Sequence, residues 1–577
     1  MKTSFVVFML VLTFFATSLW ASQTYYDGQA YGEIFFLSNS GTLYDPNFAK
    51  DQSHCLTPLL FTMGNNYWSN PKVAGKAGPG DLVVIMENIT GTQYLNPYVS
   101  GLPGSPITIT GALNPNGTVP SGSSAITIRI AAVTTGNLIP IFNIDRSYIT
   151  WKNFTIQDPG PYSLYSLFTV EADGANVVGI NVMNVIANQS KMCNFWVTSS
   201  GTGSPGFPTP PTSGHYCDNI VFINCVSNQS ASHGFHVTQN QAPNAGVWFW
   251  NCKSLYSGKP PNAYASKALA AHGFDAYGDS FAQRSFNVHW RYCEAAYTNQ
   301  YTYSDPSQSE GMGFFFDGFT SNSDMLGCYS HDNDTEGFGA SSGTTYDMIA
   351  FCLSVHNGGG GIATNGLDYA KMYNNTSYNN GWSTSNGYRG GIVLTFHNHA
   401  DIENNICVDN AVWGIYLDAS TNGANKTILN NDCYGNPTNY SYVQPGGIAY
   451  SFSATNRTFN PLFTDKSGTG LLLTDFTLQT RSPAVGSGNP SIWQGKISVL
   501  DIDQNPVTNA QGNVLGSKVN MGAVNTQASG AQPAASVTSS AASVTSNASA
   551  SSSNESGSGS NVIRQLLEIR SEYGQRH

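Results

Sequence analysis

Read from the middle of the chain, the apolar positions alternate with small or polar ones over three to five residues. They then break at Asn, Asp or Gly and resume. That is strand patterning with period two, not the three-to-four spacing of helices. The windows "FINCVSN", "FWNCKSL", "WRYCEAA", "MLGCYSH" and "IAFCLSV" align on Cys225, Cys252, Cys293, Cys328 and Cys352. "KMYNNTS" at Asn375, "ENNICVD" at Cys407 and "LNNDCYG" at Cys433 continue the series. Spacings run from 23 residues (Cys352 to Asn375) to 41 (Cys252 to Cys293). Two residues after the first six positions stand Ser227, Ser254, Ala295, Ser330, Ser354 and Ser377. Three before stand Phe222, Phe249, Trp290, Met325, Ile349 and Met372.

A second strand in each unit opens on glycine: "GFHVT", "GFDAY", "GFFFD", "GFGAS", "GIATN", "GIVLT" and "GIYLD", from Gly234 to Gly414. Repeats of this length, made of short strands and Asn-rich turns and lacking a leucine consensus, predict a solenoid in which each rung buries its face against its neighbours. The cysteines then form an inward ladder with rungs about 4.8 Å apart, open to disulfide pairing or to a stack of buried thiols. No Cys/His spacing argues for zinc, and no metal ligand is assigned.

The entry segment "GPGDLVVIMENITGTQY" with "GLPGSPITITG", the early rung "RSYITWKNFTIQD", and the closing segments "NPLFTDKSGTGLLLTDFTLQTRSPAVGSG" and "DIDQNPV" resemble the pectin-lyase-like superfamily of secreted polysaccharide lyases and hydrolases. The resemblance implies an all-β, right-handed parallel β-helix over residues 22–526, with a disordered Ser/Ala-rich C-terminal tail. Family-9 pectate lyases of this fold use a carboxylate-rich calcium turn and a lysine. The turns "AHGFD" and "TEGFG" keep Asp275 and Glu336, and Phe315 stands where the lysine would align. The alginate-epimerase signature is absent.

On the second strands the residues at Gly+1 and Gly+3 should point inward and those at Gly+2 and Gly+4 to solvent. His236, Asp275 and Phe315 then form one outer column. Thr238, Tyr277, Asp317, Ser341, Asn365, Thr395 and Asp418 form the next. Asp275 and Asp317, two residues out of step on neighbouring rungs, should lie about 8 Å apart, within the roughly 6.5–9.5 Å that leaves room for water in inverting glycosidases. They are the expected acid/base pair, flanked by His272 and Glu336. Tyr277 and Phe315 are the expected sugar platforms, with His236, Asn365 and Arg389 as further substrate contacts. Elimination would need a cationic base, for which Lys253, Lys267, Lys371 and Arg389 are at hand. The insertions "SGKPPNAYASKALA" and "TNQYTYSDPSQSEG" precede the two aspartate strands and would wall a groove. Turn residues Asp332, Asn333 and Asp334 are expected to satisfy backbone groups.

The expectation is therefore a carbohydrate-active protein that hydrolyses a wall or extracellular polysaccharide. Lyase action by β-elimination and non-catalytic glycan binding are the alternatives. No cofactor is assigned, and calcium alone is kept open.

The two ends and the charge narrow the setting. Residues 1–21, with Lys2 followed by an apolar run, read as a signal peptide, so the product is expected outside the cell or in the cell wall. Residues 527–560 are an Ala/Ser/Thr linker and 561–577 a short amphipathic tail. Charged residues make up 10% of the chain and the formal net charge is −11, which disfavours nucleic acid as a partner. No later segment is long and apolar enough to span a membrane, and a monomer is expected. Sequons at Asn88, Asn116, Asn153, Asn188, Asn228, Asn333, Asn374, Asn425, Asn439 and Asn456 point to a glycoprotein.

Overall fold

The computed structural model describes residues between Thr24 and Val524, apart from internal stretches of which 42–54, 115–125, 131–140, 200–213, 259–270 and 300–310 are the widest. The leader, the linker, the tail, Asn116, Lys267 and most of both insertions lie outside the described residues.

The chain is a parallel β-helix. Three stacks of short strands run the length of the tower, and within each stack every strand pairs in parallel with its counterpart on the next rung. The first sheet includes Ile220–Ile223, Val247–Trp250, Val288–Arg291, Asp324–Leu326, Met348–Ala350 and Ala370–Tyr373. The second includes Val226–Asn228, Lys253–Leu255, Glu294–Ala296, Tyr329–His331, Leu353–Val355 and Thr376–Tyr378. Early in the chain these two sheets are continuous. Ile149–Gln157 and Ile180–Asn188 pass through the corner and pair in both stacks, bending at Asn153 and Asn184, whose φ values of 63° and 53° turn the strand without ending it. Asparagine tolerates this left-handed conformation better than most residues. The third sheet has eleven strands, from Phe142–Ile144 to Thr438–Tyr442, and includes every glycine-led strand.

Register explains the aligned rows. Phe222, Phe249, Trp290, Met325, Ile349 and Met372 are successive partners. So are Phe235, Phe274, Phe314, Phe338 and Ile362. The phenylalanine rings stack at 4.7 Å, 4.7 Å and 5.1 Å between centroids. All are buried, so each rung's apolar face is completed by the rungs above and below.

All ten cysteines are free and buried. The thiols of Cys225, Cys252, Cys293 and Cys352 donate weakly to carbonyls of the preceding rung, as Cys252 Sγ does to Phe222 O at 3.5 Å, so the ladder is one of thiols. Its last two members correct the sequence alignment. Cys407 pairs with Ser377, and Cys433 with Cys407, so both stand in the serine row. The cysteine row continues instead as Asn375, Asn405, Asn431 and Asn456. Here the backbone N–H of Cys352 donates to Asn375 Oδ1 at 3.0 Å, and each asparagine repeats the bond to the next. The two rows are two residues apart on the same inward face, so a slip between them leaves the burial pattern unchanged.

A second buried ladder, Asn333, Asn357, Asn380, Asn410 and Asn436, closes the next corner in the same way. Burial leaves three sequon asparagines without access to solvent in the folded chain. Asn333 and Asn374 are fully buried and Asn153 nearly so, and their carboxamides are spent on Asn357 and Ser330, on Asn520 O, and on Thr110 Oγ1. Asn88 is exposed.

A short helix, Pro58–Met63, buries Phe61 against Trp68 and Trp151 near the first rungs. After Tyr442 the chain returns over the outside of the tower. Phe463, Phe476 and Met521 cover Leu353, Val355, Ile406 and Val408 on the second sheet, while Trp493, Val499 and Val519 cover Ala350, Phe351 and Tyr373 on the first. Trp493 Nε1 donates to Asn374 Oδ1 at 3.0 Å. Among the described residues no helix is long and apolar enough to cross a membrane.

Candidate functional site

The return segment covers parts of the first and second sheets, so the outward face of the third sheet is the place to look for chemistry. Two outward columns follow from register. One runs Trp196, His236, Asp275, Phe315, Gly339, Ala363, Val393, Tyr416. The other runs Thr198, Thr238, Tyr277, Asp317 and, beyond, Asn365 and Thr395. Strand and register thus place the side chains in the expected columns.

Their exposure differs from expectation. His236, Asp275 and Phe315 retain 5%, 1% and 4% of their surface, so this column faces away from the tower's core and is nevertheless buried. The reason is local packing. Phe315 lies across the bare Cα of Gly339 alongside Met312, so that a Cβ at Gly339 would meet Met312 Sδ at 2.6 Å and Phe315 Cδ2 at 2.9 Å. The His272 ring sits 4.8 Å from Phe315. Phe315 is therefore a packed wall and presents no open face to a sugar.

Behind it lies a buried polar cluster. His233 and His236 stack at 4.5 Å between ring centroids, and His233 and His272 at 5.1 Å. His236 Nδ1 lies 2.6 Å from Asp275 Oδ2, but the approach lacks the alignment of a hydrogen bond. His233 Nδ1 and Asp275 Oδ1 are buried with no hydrogen-bond partner among the described residues. Burial, reinforced by the neighbouring His236 and His272, holds His233 well below the usual imidazole range, so its ring is neutral. Burial beside Asp275 raises the Cys193 thiol above its usual value, which leaves it protonated.

The second column is the accessible one. Tyr277, Asp317 and Ser341 are half-buried and Asn365 is exposed. The Ser341 hydroxyl donates to Asp317 Oδ1 at 3.3 Å and accepts from the Gly318 N–H at 2.5 Å. Glu336 is buried and accepts from Asn386 Nδ2 at 2.8 Å, so it links two rungs and does not stand free beside the aspartates. Arg389 is half-buried, its Nε donating to Gly381 O at 2.8 Å. Lys253 is on the second sheet, paired with Glu294 at 2.8 Å, and Lys371 is on the first, in register with Met348 and Asp401. Neither reaches this face.

Trp413 and Tyr416 escaped the sequence reading. They stack at 4.3 Å on the same face, both half-buried, beyond a floor of Gly339, Ala363 and Val393 that carries little side chain. The available signal was an aromatic on each side of Gly414 and Ile415 in "WGIYL". Turn residue Asp332 binds two histidine side chains. Both His331 Nδ1 and His356 Nδ1 lie 2.8 Å from its carboxylate, and their hydrogen bonds hold it below the usual carboxylate range despite partial burial.

No family model matches the chain, and no curated protein matches it. Among solved structures it is similar to pectate lyase Pel9A, at 14% identity over 87% of this chain and 98% of that one, with a TM-score of 0.45. It is similar to the GH136 lacto-N-biosidase from Eubacterium ramulus at 13% identity, over 69% and 67% of the two chains, with a TM-score of 0.43. It is also similar to the A-module of Azotobacter vinelandii mannuronan C-5 epimerase AlgE6 at 12% identity, over 66% and 89%, with a TM-score of 0.41.

Proposed function

We propose that this chain is an extracellular carbohydrate-active protein that lays a polysaccharide along the outward face of its third sheet and cleaves it by acid/base hydrolysis. The observation that carries the reading is the accessible column itself. Tyr277, Asp317, Ser341 and Asn365 present one polar or aromatic group per rung, at a spacing of about 4.8 Å that is on the scale of a single sugar ring. The Trp413–Tyr416 pair on the same face supplies apolar surface for stacking.

In this reading Asp317 is the solvent-reachable acid/base, oriented by Ser341. Asp275, one strand away and two residues out of step, is buried behind Phe315 with His236 against it, so Asp317 is the carboxylate of the two that a sugar reaches. Elimination is the less favoured reading, because of Lys253, Lys371 and Arg389 only Arg389 is near this face.

A polysaccharide panel scored for reducing ends and for ultraviolet absorbance of unsaturated ends tests the proposal. Hydrolysis predicts reducing ends alone, with a loss of about 10²–10⁴ in rate for Asp317→Asn. Unsaturated products would replace hydrolysis with elimination, binding without products would make the chain a lectin-like protein, and full activity in Asp317→Asn would remove Asp317 from the mechanism.

A further inference from the structure

We propose that His233, His236 and Asp275 form a binding site for a divalent transition-metal ion of the zinc type. One ligand atom from each of the three lies within 4.8 Å of the others, and all three side chains are at least nine-tenths buried. The fold makes the cluster. His236 and Asp275 are register partners on adjacent strands, and His233 precedes the glycine that opens the strand of His236.

The polar atoms are incompletely satisfied. Among the described residues His233 Nδ1 and Asp275 Oδ1 have no hydrogen-bond partner, and the 2.6 Å approach of His236 Nδ1 to Asp275 Oδ2 is not aligned as a hydrogen bond. Burying such groups without partners is costly. A proton shared by His236 and Asp275 would satisfy one contact and leave the other two atoms as they are. A cation placed among the three donors would satisfy all of them at once.

The geometry is close to what an ion needs. With metal–ligand bonds of about 2.0–2.2 Å, two donors on a tetrahedral ion stand roughly 3.3–3.6 Å apart, so a pair at the 4.8 Å limit must close by somewhat more than an ångström. His233 and His236 are stacked within 9° of parallel, and an ion sits in the plane of each ring, so one imidazole must turn about its Cβ–Cγ bond. That torsion is broad for histidine. Two imidazole nitrogens with one carboxylate suit zinc, cobalt, nickel or manganese, while calcium and magnesium favour oxygen ligands. When the ion is bound, Asp275 is a ligand and no longer a proton carrier, so the acid/base role on this face falls to Asp317.

The test uses the full chain, stripped with chelator and titrated with Co²⁺ and then Zn²⁺. The expected result is visible d–d absorption at one equivalent of cobalt, displacement by zinc, and a rise in melting temperature. Asp275→Asn and His233→Gln should each weaken binding at least tenfold, while Asp317→Asn binds as wild type. Each variant's metal-free circular dichroism and unfolding midpoint are to be compared with wild type, and the conclusion is drawn from whichever of the two keeps both. Absence of stoichiometric uptake, uptake unchanged in the folded variant, or calcium taken up in preference to zinc would overturn the proposal. Binding is read without substrate, so a chain that takes up the ion but cleaves no polysaccharide would overturn the proposed function and leave this site standing.

Discussion

Replacing Asn380 by alanine should cost far more than its size suggests. Asn380 is 1% exposed. Its Oδ1 accepts from the backbone N–H and the Nδ2 of Asn357, each at 3.0 Å. Its Nδ2 donates to Ser354 O at 3.1 Å, to Ser377 Oγ at 2.9 Å and to Asn410 Oδ1 at 3.1 Å. Asn357 Nδ2 keeps Ser330 O and Ser354 Oγ, and Asn410 Oδ1 keeps the Asn380 backbone N–H, so these atoms survive the truncation. The Asn357 N–H and the Ser354 carbonyl lose the partners named here, inside a fully buried corner. At roughly 1–3 kcal/mol for each of the two stranded groups, the expected loss is about 2–6 kcal/mol. The control is Asn251→Gly. Asn251 belongs to an outer ladder, donating to Asn224 Oδ1 at 2.8 Å, but it is exposed, and glycine keeps its φ of 51° at no steric cost. That change should cost less than about 1 kcal/mol. Equilibrium urea unfolding followed by circular dichroism and tryptophan fluorescence gives both values. The reasoning is refuted if Asn380→Ala costs no more than Asn251→Gly.

Phe314→Ala removes a fully buried ring between Phe274 and Phe338 and should cost about 3–5 kcal/mol in the same unfolding assay. Thiol titration with an aromatic disulfide reagent should find almost no reaction in the native protein and ten equivalents after denaturation without reductant, because all ten cysteines are free and buried; fewer than ten would reveal bridges. Burial raises Asp347 to about 7, although it accepts from the Ser323 N–H and the Thr320 hydroxyl. The folded state then holds a proton that the unfolded chain has released, so this residue's contribution to stability declines as pH rises from about 4 to about 7. Asp347→Asn should flatten that slope, as read from melting temperatures across the range. Trp413→Ala should weaken polysaccharide retention on an affinity gel while leaving the unfolding free energy within about 1 kcal/mol of wild type, since the side chain is half-buried.

The architecture was legible because it is written several times over. Gly-Phe openings and Cys-x-Ser windows repeat, and one copy fixes the register of the next. The errors arose where repetition stops carrying information. Cys407 and Cys433 fell into the wrong row because two inward slots, two residues apart, both accept a small side chain. Strand alternation puts Asp275 and Phe315 on the solvent side because it reports only which side of a strand a residue leaves from. It does not report that Met312, Phe315 and His272 fold over that side, an arrangement that depends on the missing side chain of Gly339. The returning segment also left only a faint trace. "LSV" and "ICV" place apolar pairs on the face opposite the inward Ser354 and Cys407, which implies a second covering layer, but nothing periodic says that the closing segment provides it.

That covering layer changes how the tower comes apart. A stack whose turns hold only their immediate neighbours can peel from its free end, one turn at a time, each step costing little more than a single interface. Here Asn520 O receives Asn374 Nδ2, and the Ala523 N–H donates to Thr376 Oγ1, across 146 and 147 residues of chain. The closing segment around Asn520 and Ala523 is thereby laced to turns well inside the stack. The last turns cannot loosen separately without first undoing that lacing, which binds the C-terminal half into a single cooperative block.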